Sequence, residues 1–155
     1  MKPPYEINAT EDLNTYVFVS KGRRGEVFKV VQFTHLRMEA SPDRYNLALG
    51  DWVEDKVDPE NITNNGDIST VMATIGAIIL YYTSHFPERE IFVCGSTPNR
   101  SRLYQMLVSN NLEEIESNFN VFGIRYVKNN PDALEDYAQR FRKTETYGAI
   151  LVIRK

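Results

Sequence analysis

The feature that most constrains the fold is a long apolar segment with helical spacing near the middle of the chain. Its apolar positions recur three and four residues apart: Ile68, Val71, Met72, Ile75, Ile79, Tyr82 and Phe86. Such spacing places a continuous apolar face on an α-helix. Small and apolar residues leave little polar surface elsewhere, so we predict a long buried helix over about 67–86, packed on a sheet and covered on a second side. Asp67 is its predicted N-cap, and Pro87 ends it.

Two segments rich in β-branched and aromatic residues precede this helix. They cover residues 16–20 and 26–33, and the residues between them include Gly22 and Gly25, which suit a turn that needs positive φ. We predict an antiparallel hairpin here and a third strand over 45–50. The acidic segment 51–60 is turn-prone and is predicted to be a long surface connection.

After the long helix, strands and helices alternate. Residues 90–95 are a predicted strand, and about 98–109 is a predicted second helix, with Thr97 at its N-cap and Pro98 at its first position.

The last third of the chain contains three more predicted elements. They are a strand over 119–127, a short helix from Asn129 to Phe141, and a closing strand over 147–153 that is buried on both faces. The whole pattern predicts an α+β fold with a mainly antiparallel sheet, on which the long buried helix and the second helix pack. At 155 residues, the chain is expected to form a single domain over 1–155.

Composition and charge exclude several functional classes. A formal net charge of −3 gives no general case for nucleic-acid binding, which usually shows a basic domain or stripe. The single cysteine, Cys94, lies in an apolar run, as is typical of a core residue in a reducing compartment. The N-terminus lacks the apolar region of a secretory signal, and Val71–Tyr82 is too short for a membrane span. We therefore expect a cytoplasmic protein with no membrane association.

The chain shows no pattern typical of a catalytic or metal site. His35 and His85 are far apart, no Cys/His cluster has zinc-ligand spacing, and segment 51–60 lacks the spacing of a calcium loop. The Gly-x-Ser-x-Gly motif of many hydrolases is absent. We predict no catalytic residue, no metal and no cofactor.

The most suggestive segment for ligand binding is the one where strand 90–95 meets the second helix. Ser96 and Thr97 offer hydroxyl groups, and Arg100 and Arg102 add positive charge near a helix N-terminus, where amide groups are unpaired. These four residues are candidates for binding a phosphate, a carboxylate or a nucleic-acid backbone. In the alternative interpretation, Thr97 caps a structural helix and the arginines bond acidic neighbours.

A second candidate lies at the start of the long helix, in the segment 64–67. Asn65 and Asp67 are its candidate ligand-binding residues, and if both helices begin at the same edge of the sheet, the two helix starts would line one cleft with Asp51, Asp67 and Arg100 as its polar groups. The alternative is a glycine turn followed by a helix cap.

Two resemblances accompany these motifs. The segments Thr63-Asn64-Asn65-Gly66-Asp67 and Gly95-Ser96-Thr97, followed by Arg100, Arg102 and Leu103-Tyr104, resemble an uncharacterised bacterial family, a domain of unknown function found mainly in Bacteroidetes. That membership implies no known activity. The order strand, helix, strand, helix, strand is similar to the core of GCN5-related acetyltransferases. In that family, a segment like Asn99–Leu107 follows the strand beside acetyl-coenzyme A, but the family's pyrophosphate loop has only Asn65-Gly66 in its place.

These observations predict a small binding or interaction module of unknown function with a candidate anion site. The alternative is an acyltransferase-like enzyme whose coenzyme A loop is degenerate or absent. A small anionic ligand and a protein partner both remain open as partners, as does the oligomeric state.

Overall fold

The computed structural model describes residues 3–53, 56–58 and 64–155, and at 53 and 56–58 it describes the backbone only. The chain divides into two compact units. The first contains Met1–Thr34 and Leu47–Pro87, and the second contains His35–Asn46 and Glu88–Lys155.

Within the described residues, the secondary structure consists of eleven strands and three helices. The strands are β1 (Asn8–Ala9), β2 (Thr15–Gly22), β3 (Gly25–His35), β4 (Arg44–Val53), β5 (Lys56–Asp58), β6 (Glu90–Cys94), β7 (Phe119–Ile124), β8 (Tyr126–Val127), β9 (Asn130–Leu134), β10 (Gln139–Arg140) and β11 (Ala149–Arg154). The helices are α1 (Ile68–His85), α2 (Pro98–Asn110) and α3 (Leu112–Glu116). This content confirms the predicted α+β class.

The first unit is a small antiparallel arrangement that carries the long helix. Its strands follow the order β1-β2-β3-β4, and β5 pairs with the end of β4. The hairpin predicted from the sequence is confirmed, with Gly22 paired to Gly25 at its end. Of these two hairpin glycines, Gly25 has a positive φ of +84°, a conformation that glycine adopts without steric cost, and Gly22 does not.

Helix α1 packs through a cluster of aromatic rings on β2 and β3. The ring of Tyr82 stacks on Phe33 with centroids 3.8 Å apart, and Tyr16 meets both rings edge-on. All three side chains are buried. Burial of such large rings is a main source of core stability, which explains why the long helix forms where the sequence predicts it.

The predictions at the ends and surface of α1 need two corrections. Asp67 occupies the N-cap position, but its side chain makes no capping hydrogen bond. The second face is not fully covered either, because Ile68, Leu80 and Tyr81 are 39–48% exposed. By length and composition alone, the 18-residue helix α1 is long and apolar enough to cross a membrane, a test that core helices of soluble proteins also pass. The ring packing described above is that of a core helix.

The prediction of a surface connection over 51–60 is wrong at its start. Strand β4 continues through Asp51, whose side chain is buried and forms an ion pair with Lys29 Nζ at 2.6 Å. Strand β5 then pairs back onto β4. The local sequence is acidic and turn-prone, and it does not reveal that Asp51 pairs with a lysine on a neighbouring strand, because that pairing is a tertiary contact. The rest of that predicted connection, 54–55 and 59–60, lies outside the described residues.

The second unit has the strand order β6-β11-β7-β10, with each of these pairings antiparallel. The closing strand is central, and its residues Ala149–Val152 are all buried, as predicted. Helix α2 contacts β6, and α3 contacts β7. The break in the helical pattern at Asn110-Asn111 separates these two helices.

The short helix predicted from Asn129 to Phe141 is absent. Its place is taken by the β8–β9 hairpin and by the short strand β10. Asn129 adopts a left-handed conformation with φ of 63°, and Asn130 Oδ1 accepts a hydrogen bond from the Asp132 amide. Asparagine and aspartate favour tight turns as readily as helix starts, so this segment was ambiguous in sequence. The predicted strand over 119–127 is likewise divided, because β7 ends at Ile124.

Candidate functional site

The start of α2 is built as the sequence predicts. Thr97 Oγ1 accepts a hydrogen bond from the Arg100 amide at 3.3 Å, and Pro98 stands in the first turn. Ser101 Oγ accepts from the Gly95 amide at 2.9 Å, which ties the end of β6 to the helix. Thr97 is therefore the structural N-cap that the sequence indicated.

At this helix start, the Arg100 guanidinium bonds the Ser96 hydroxyl. Arg100 Nη1 donates to Ser96 Oγ at 2.7 Å, while Ser96 and Thr97 are exposed. Pro98 has no amide hydrogen, and the Arg100 amide is bonded to Thr97. The helix N-terminus therefore offers few amide groups to an anion, although three of the predicted site residues do lie together.

Arg102 belongs to a different place, a cavity beside α2. This cavity has a volume of about 380 Å³ and lies between one face of α2 and the segment 143–146. We call it the α2 cavity, and it is lined by Arg102, Gln105, Met106, Ser109, Asn110, Lys143, Thr144, Glu145 and Thr146. The lining residues that belong to α2 recur three and four residues apart, so they lie on one face of the helix.

Gln105 holds the two walls of the α2 cavity together. Its Nε2 donates to the carbonyl oxygen of Glu145, and its Oε1 accepts from the Tyr147 amide at 2.9 Å. The Tyr147 hydroxyl in turn accepts from Gln139 Nε2 at 2.9 Å and from the Arg142 amide at 3.0 Å. Gln105 and Tyr147 are buried, so these bonds fix segment 143–146 against the helix.

The charges of the α2 cavity are two cations and one carboxylate. Within the described part of the chain, neither Arg102 nor Lys143 forms an ion pair. The carboxylate is that of Glu145. The pKa of Arg125 is raised, first by its hydrogen bond to Tyr137 and then by nearby carboxylates that include Glu145. With two cations and one carboxylate, the lining of the α2 cavity is positive on balance.

Two other groups of the α2 region are half-buried. Burial raises the pKa of the Tyr104 phenol, and the charge of Arg100 opposes that rise. Cys94 is a free thiol whose Sγ lies 3.4 Å from the carbonyl oxygen of Gly148. Cys94 is less deeply buried than the core position predicted for it.

Asn65 lies in the first unit, where its side chain is enclosed by the β2–β3 hairpin. Its Oδ1 accepts from the Arg24 amide at 2.7 Å, and its Nδ2 donates to the Gly25 carbonyl at 2.9 Å and to Ser20 Oγ at 3.2 Å. A Cβ at Gly22 would lie 2.0 Å from the Asn65 carbonyl oxygen, so this close approach requires glycine. The amide of Asn65 is therefore fully used within the protein.

Asp67 is engaged in the same way. Its Oδ2 accepts from the Tyr5 hydroxyl at 2.6 Å and from Ser20 Oγ at 2.5 Å. Burial raises the pKa of Tyr5, and its hydrogen bond to Asp67 raises it further. These contacts give Asp67 a structural role in joining the N-terminal segment to the start of α1.

The predicted site residues thus fall into two groups. Asn65 and Asp67 belong to the first unit, and Ser96, Thr97, Arg100 and Arg102 belong to the second. A cleft shared by both helix starts stays a prediction.

Sequence reasoning missed Lys143 and Gln105. For Gln105, the signal was available, since Arg102, Gln105 and Ser109 share one helix face. For Lys143 there was none, because its segment reaches α2 through the tertiary contacts of Gln105 and Tyr147.

In the ranges that the structure describes, no group of three or more His, Cys, Asp or Glu residues is placed to hold a metal ion. No curated protein and no solved structure matches the chain significantly. One family model does match, over residues 1–155, and it is described as a family of unknown function. The chain therefore belongs to the DUF6934 family.

Proposed function

We propose that this protein is a small binding module that recognises an anionic ligand in the α2 cavity. The observation that carries the proposal is that Arg102 and Lys143 line one cavity and form no ion pair within the described residues. Two cations that form no ion pair among the described residues, one on α2 and one on segment 143–146, suit a phosphate or carboxylate group, which accepts charge-assisted hydrogen bonds from both.

The fixed geometry of the walls supports this proposal. Segment 143–146 is held to α2 by the buried Gln105, so Lys143 stands opposite the helix without a large rearrangement of the backbone. A preformed site costs less conformational entropy on binding than a mobile one. The cavity volume also lies within the range of about 300–1,000 Å³ that is common for small-molecule sites.

A thermal-unfolding series with inorganic phosphate tests the proposal, with sodium chloride at matched ionic strength as the control. At a phosphate concentration ten times the Kd, binding adds about 1.4 kcal/mol to the free energy of unfolding. For a domain of this size the Tm then rises by about 3–6 °C. Equal shifts with phosphate and chloride would contradict specific anion binding, because screening alone would explain them.

Charge-removing variants locate the site. Arg102→Gln and Lys143→Gln should each weaken phosphate binding by about tenfold, since a charge-assisted hydrogen bond contributes about 1.5 kcal/mol or more. Lys128→Gln is the matched control, because Lys128 is an exposed lysine of the same unit outside the cavity lining.

Ser96, Thr97 and Arg100 form the competing location for the same ligand class. Arg100→Gln distinguishes the two locations. If Arg100→Gln abolishes binding while Lys143→Gln does not, the anion sits at the start of α2 rather than in the α2 cavity.

An acyltransferase-like activity is the second candidate. The observation that favours it is the chain order β4, β5, α1, β6, α2, α3, β7, which contains the alternation of strand, helix, strand, helix, strand behind the resemblance to GCN5-related acetyltransferases. Against it stands Asn65, in place of the pyrophosphate loop, with its amide used internally. Stabilisation by acetyl-coenzyme A but not by phosphate, together with transfer of a labelled acetyl group, would favour the enzyme.

A bacterial source and a cytoplasmic location complete the proposal. The free thiol of Cys94 supports a reducing compartment.

A further inference from the structure

We infer that the α2 cavity takes a hydroxyl-rich organic anion of the sugar-phosphate class. This inference rests on the proposed function, because it assumes that Arg102 and Lys143 bind the anionic group. It adds the chemistry of the rest of the ligand.

The size of the cavity points beyond an inorganic anion. The cavity volume of about 380 Å³ is many times the roughly 10–15 Å³ that one water molecule needs. A bare phosphate held between Arg102 and Lys143 would fill only part of that space. The remaining space lies against the other lining side chains.

Those side chains are three hydroxyls, two amides, the Glu145 carboxylate and Met106. Ser109, Asn110, Thr144 and Thr146 each carry groups that can both donate and accept hydrogen bonds. Sugar hydroxyls have the same dual capacity, so each can donate a hydrogen bond to these side chains or accept one from them. Gln105 does not take part, because both ends of its amide bond the backbone of 145 and 147.

The lining lacks what a nucleobase needs. Among the described residues that line the cavity, none is aromatic and Met106 is the only apolar one. Bases gain much of their binding energy by stacking on aromatic rings. A sugar phosphate therefore fits this wall better than a nucleotide does.

The order of residues along α2 sets the orientation of the ligand. Ser109 lies seven residues after Arg102, which is about 10 Å along a helix. Arg102 thus lies toward one end of the α2 wall, with Ser109 and Asn110 toward the other. The anionic group would bind near Arg102 and Lys143, and the hydroxyl groups would extend toward Asn110.

Titrations of the full chain with four probes test this inference by calorimetry and by backbone-amide NMR. The probes are ribose 5-phosphate, inorganic phosphate, ribose and adenosine monophosphate, all at matched ionic strength. We expect ribose 5-phosphate to bind at least tenfold more tightly than phosphate and no more weakly than the nucleotide, with ribose alone below detection. In the NMR spectra, the sugar phosphate should shift the amides of Ser109 and Asn110, whereas phosphate should not.

Two double variants separate the hydroxyl contacts from the charges. Thr144→Val with Thr146→Val should lose the tenfold gain and keep the affinity for inorganic phosphate. Thr144→Ser with Thr146→Ser keeps the hydroxyl groups and should keep the gain. The wild-type NMR titration decides the matter even if the valine variant does not fold.

The outcomes distinguish this inference from the proposed function. Equal affinity for phosphate and ribose 5-phosphate would overturn the inference and leave anion binding intact. Tenfold tighter binding of the nucleotide than of the sugar phosphate would also overturn it, in favour of a base-recognising site. If no probe binds, both the inference and the proposed function are wrong.

Discussion

The segment 64–67 and the α2 cavity both contain polar side chains that the sequence leaves without an obvious role. They differ in how far those side chains are buried and in whether they bond other groups of the protein. In the first, Asn65 is 2% exposed and its amide bonds three groups of the protein. In the second, Arg102 and Lys143 are exposed, and neither forms an ion pair within the described chain. A buried polar group must find partners when the chain folds, whereas an exposed charge keeps its water and stays available to a ligand.

This difference separates structural polar residues from candidate binding residues. Both helix starts carried the same signal in sequence, with a possible cap and nearby polar groups. Burial and hydrogen-bond partners make Asn65 and Asp67 part of the fold. By the same measures, Arg102 and Lys143 are exposed and form no ion pair with any residue that the structure describes. The comparison therefore predicts opposite effects for substitutions at the two places.

The largest expected effect is that of Asn65→Ala. Removing this side chain leaves the Arg24 amide and the Gly25 carbonyl without their partner in a partly buried setting. Each unsatisfied group costs about 1–3 kcal/mol, so we expect the free energy of unfolding to fall by about 3 kcal/mol. Urea denaturation measures this change. Asn64→Ala is the control, because Asn64 is exposed and, within the described residues, bonds only the Gly66 amide; a larger loss there would contradict the comparison.

Gln105→Ala is expected to come next, with a loss of about 2 kcal/mol. It removes two hydrogen bonds between buried Gln105 and the backbone of segment 145–147. Because Gln105 joins the walls of the α2 cavity, the variant should also weaken any anion binding there. Met106→Ala, one residue along the helix and 53% exposed, should change stability by less than about 0.5 kcal/mol. Equal losses in the two variants would show that Gln105 does not hold the segment.

The part of the fold that was predictable from sequence is the part specified locally. The spacing of apolar residues in α1 and the glycine-bounded hairpin of β2 and β3 were each visible within one stretch of chain. Two contacts were not visible in this way: the ion pair of Lys29 with Asp51 and the hydrogen bonds of Gln105 to segment 145–147. Each joins residues far apart in sequence. Asn129-Asn130-Pro131 was predicted as a helix start and forms a turn, since the same residue types favour both.

The candidate site was predictable only on its helical side. Arg102 was singled out as a cation of α2, and it lines the cavity. Lys143 lies in a segment for which the sequence predicted no regular structure, and the bonds of Gln105 to the backbone of Glu145 and Tyr147 bring that segment to α2. A helix face can be read from spacing, but the surface that completes a cavity cannot.

A smaller effect is expected at Tyr5, and it depends on pH. The pKa of the Tyr5 phenol is raised from 10 by burial and by the hydrogen bond to Asp67, so the folded state favours the protonated phenol. This contribution is fully present below pH 10 and is lost as the pH rises through the raised value. Tyr5→Phe should cost about 1 kcal/mol at pH 7 and should make the decline in stability above pH 10 less steep. Parallel pH–stability curves for wild type and variant would contradict a structural role for this bond.

The smallest effect on stability is expected where the comparison predicts the largest effect on binding. Arg102→Gln with Lys143→Gln removes two exposed charges that have no ion-pair partner in the described residues, so the free energy of unfolding should change by less than about 0.5 kcal/mol without added anion. In phosphate, the wild type should gain stability and this double variant should not. A loss above about 2 kcal/mol in the absence of anion would mean that these cations stabilise the fold as Asn65 does. The polar residues of both regions would then be structural, and the proposal of a binding site in the α2 cavity would be wrong.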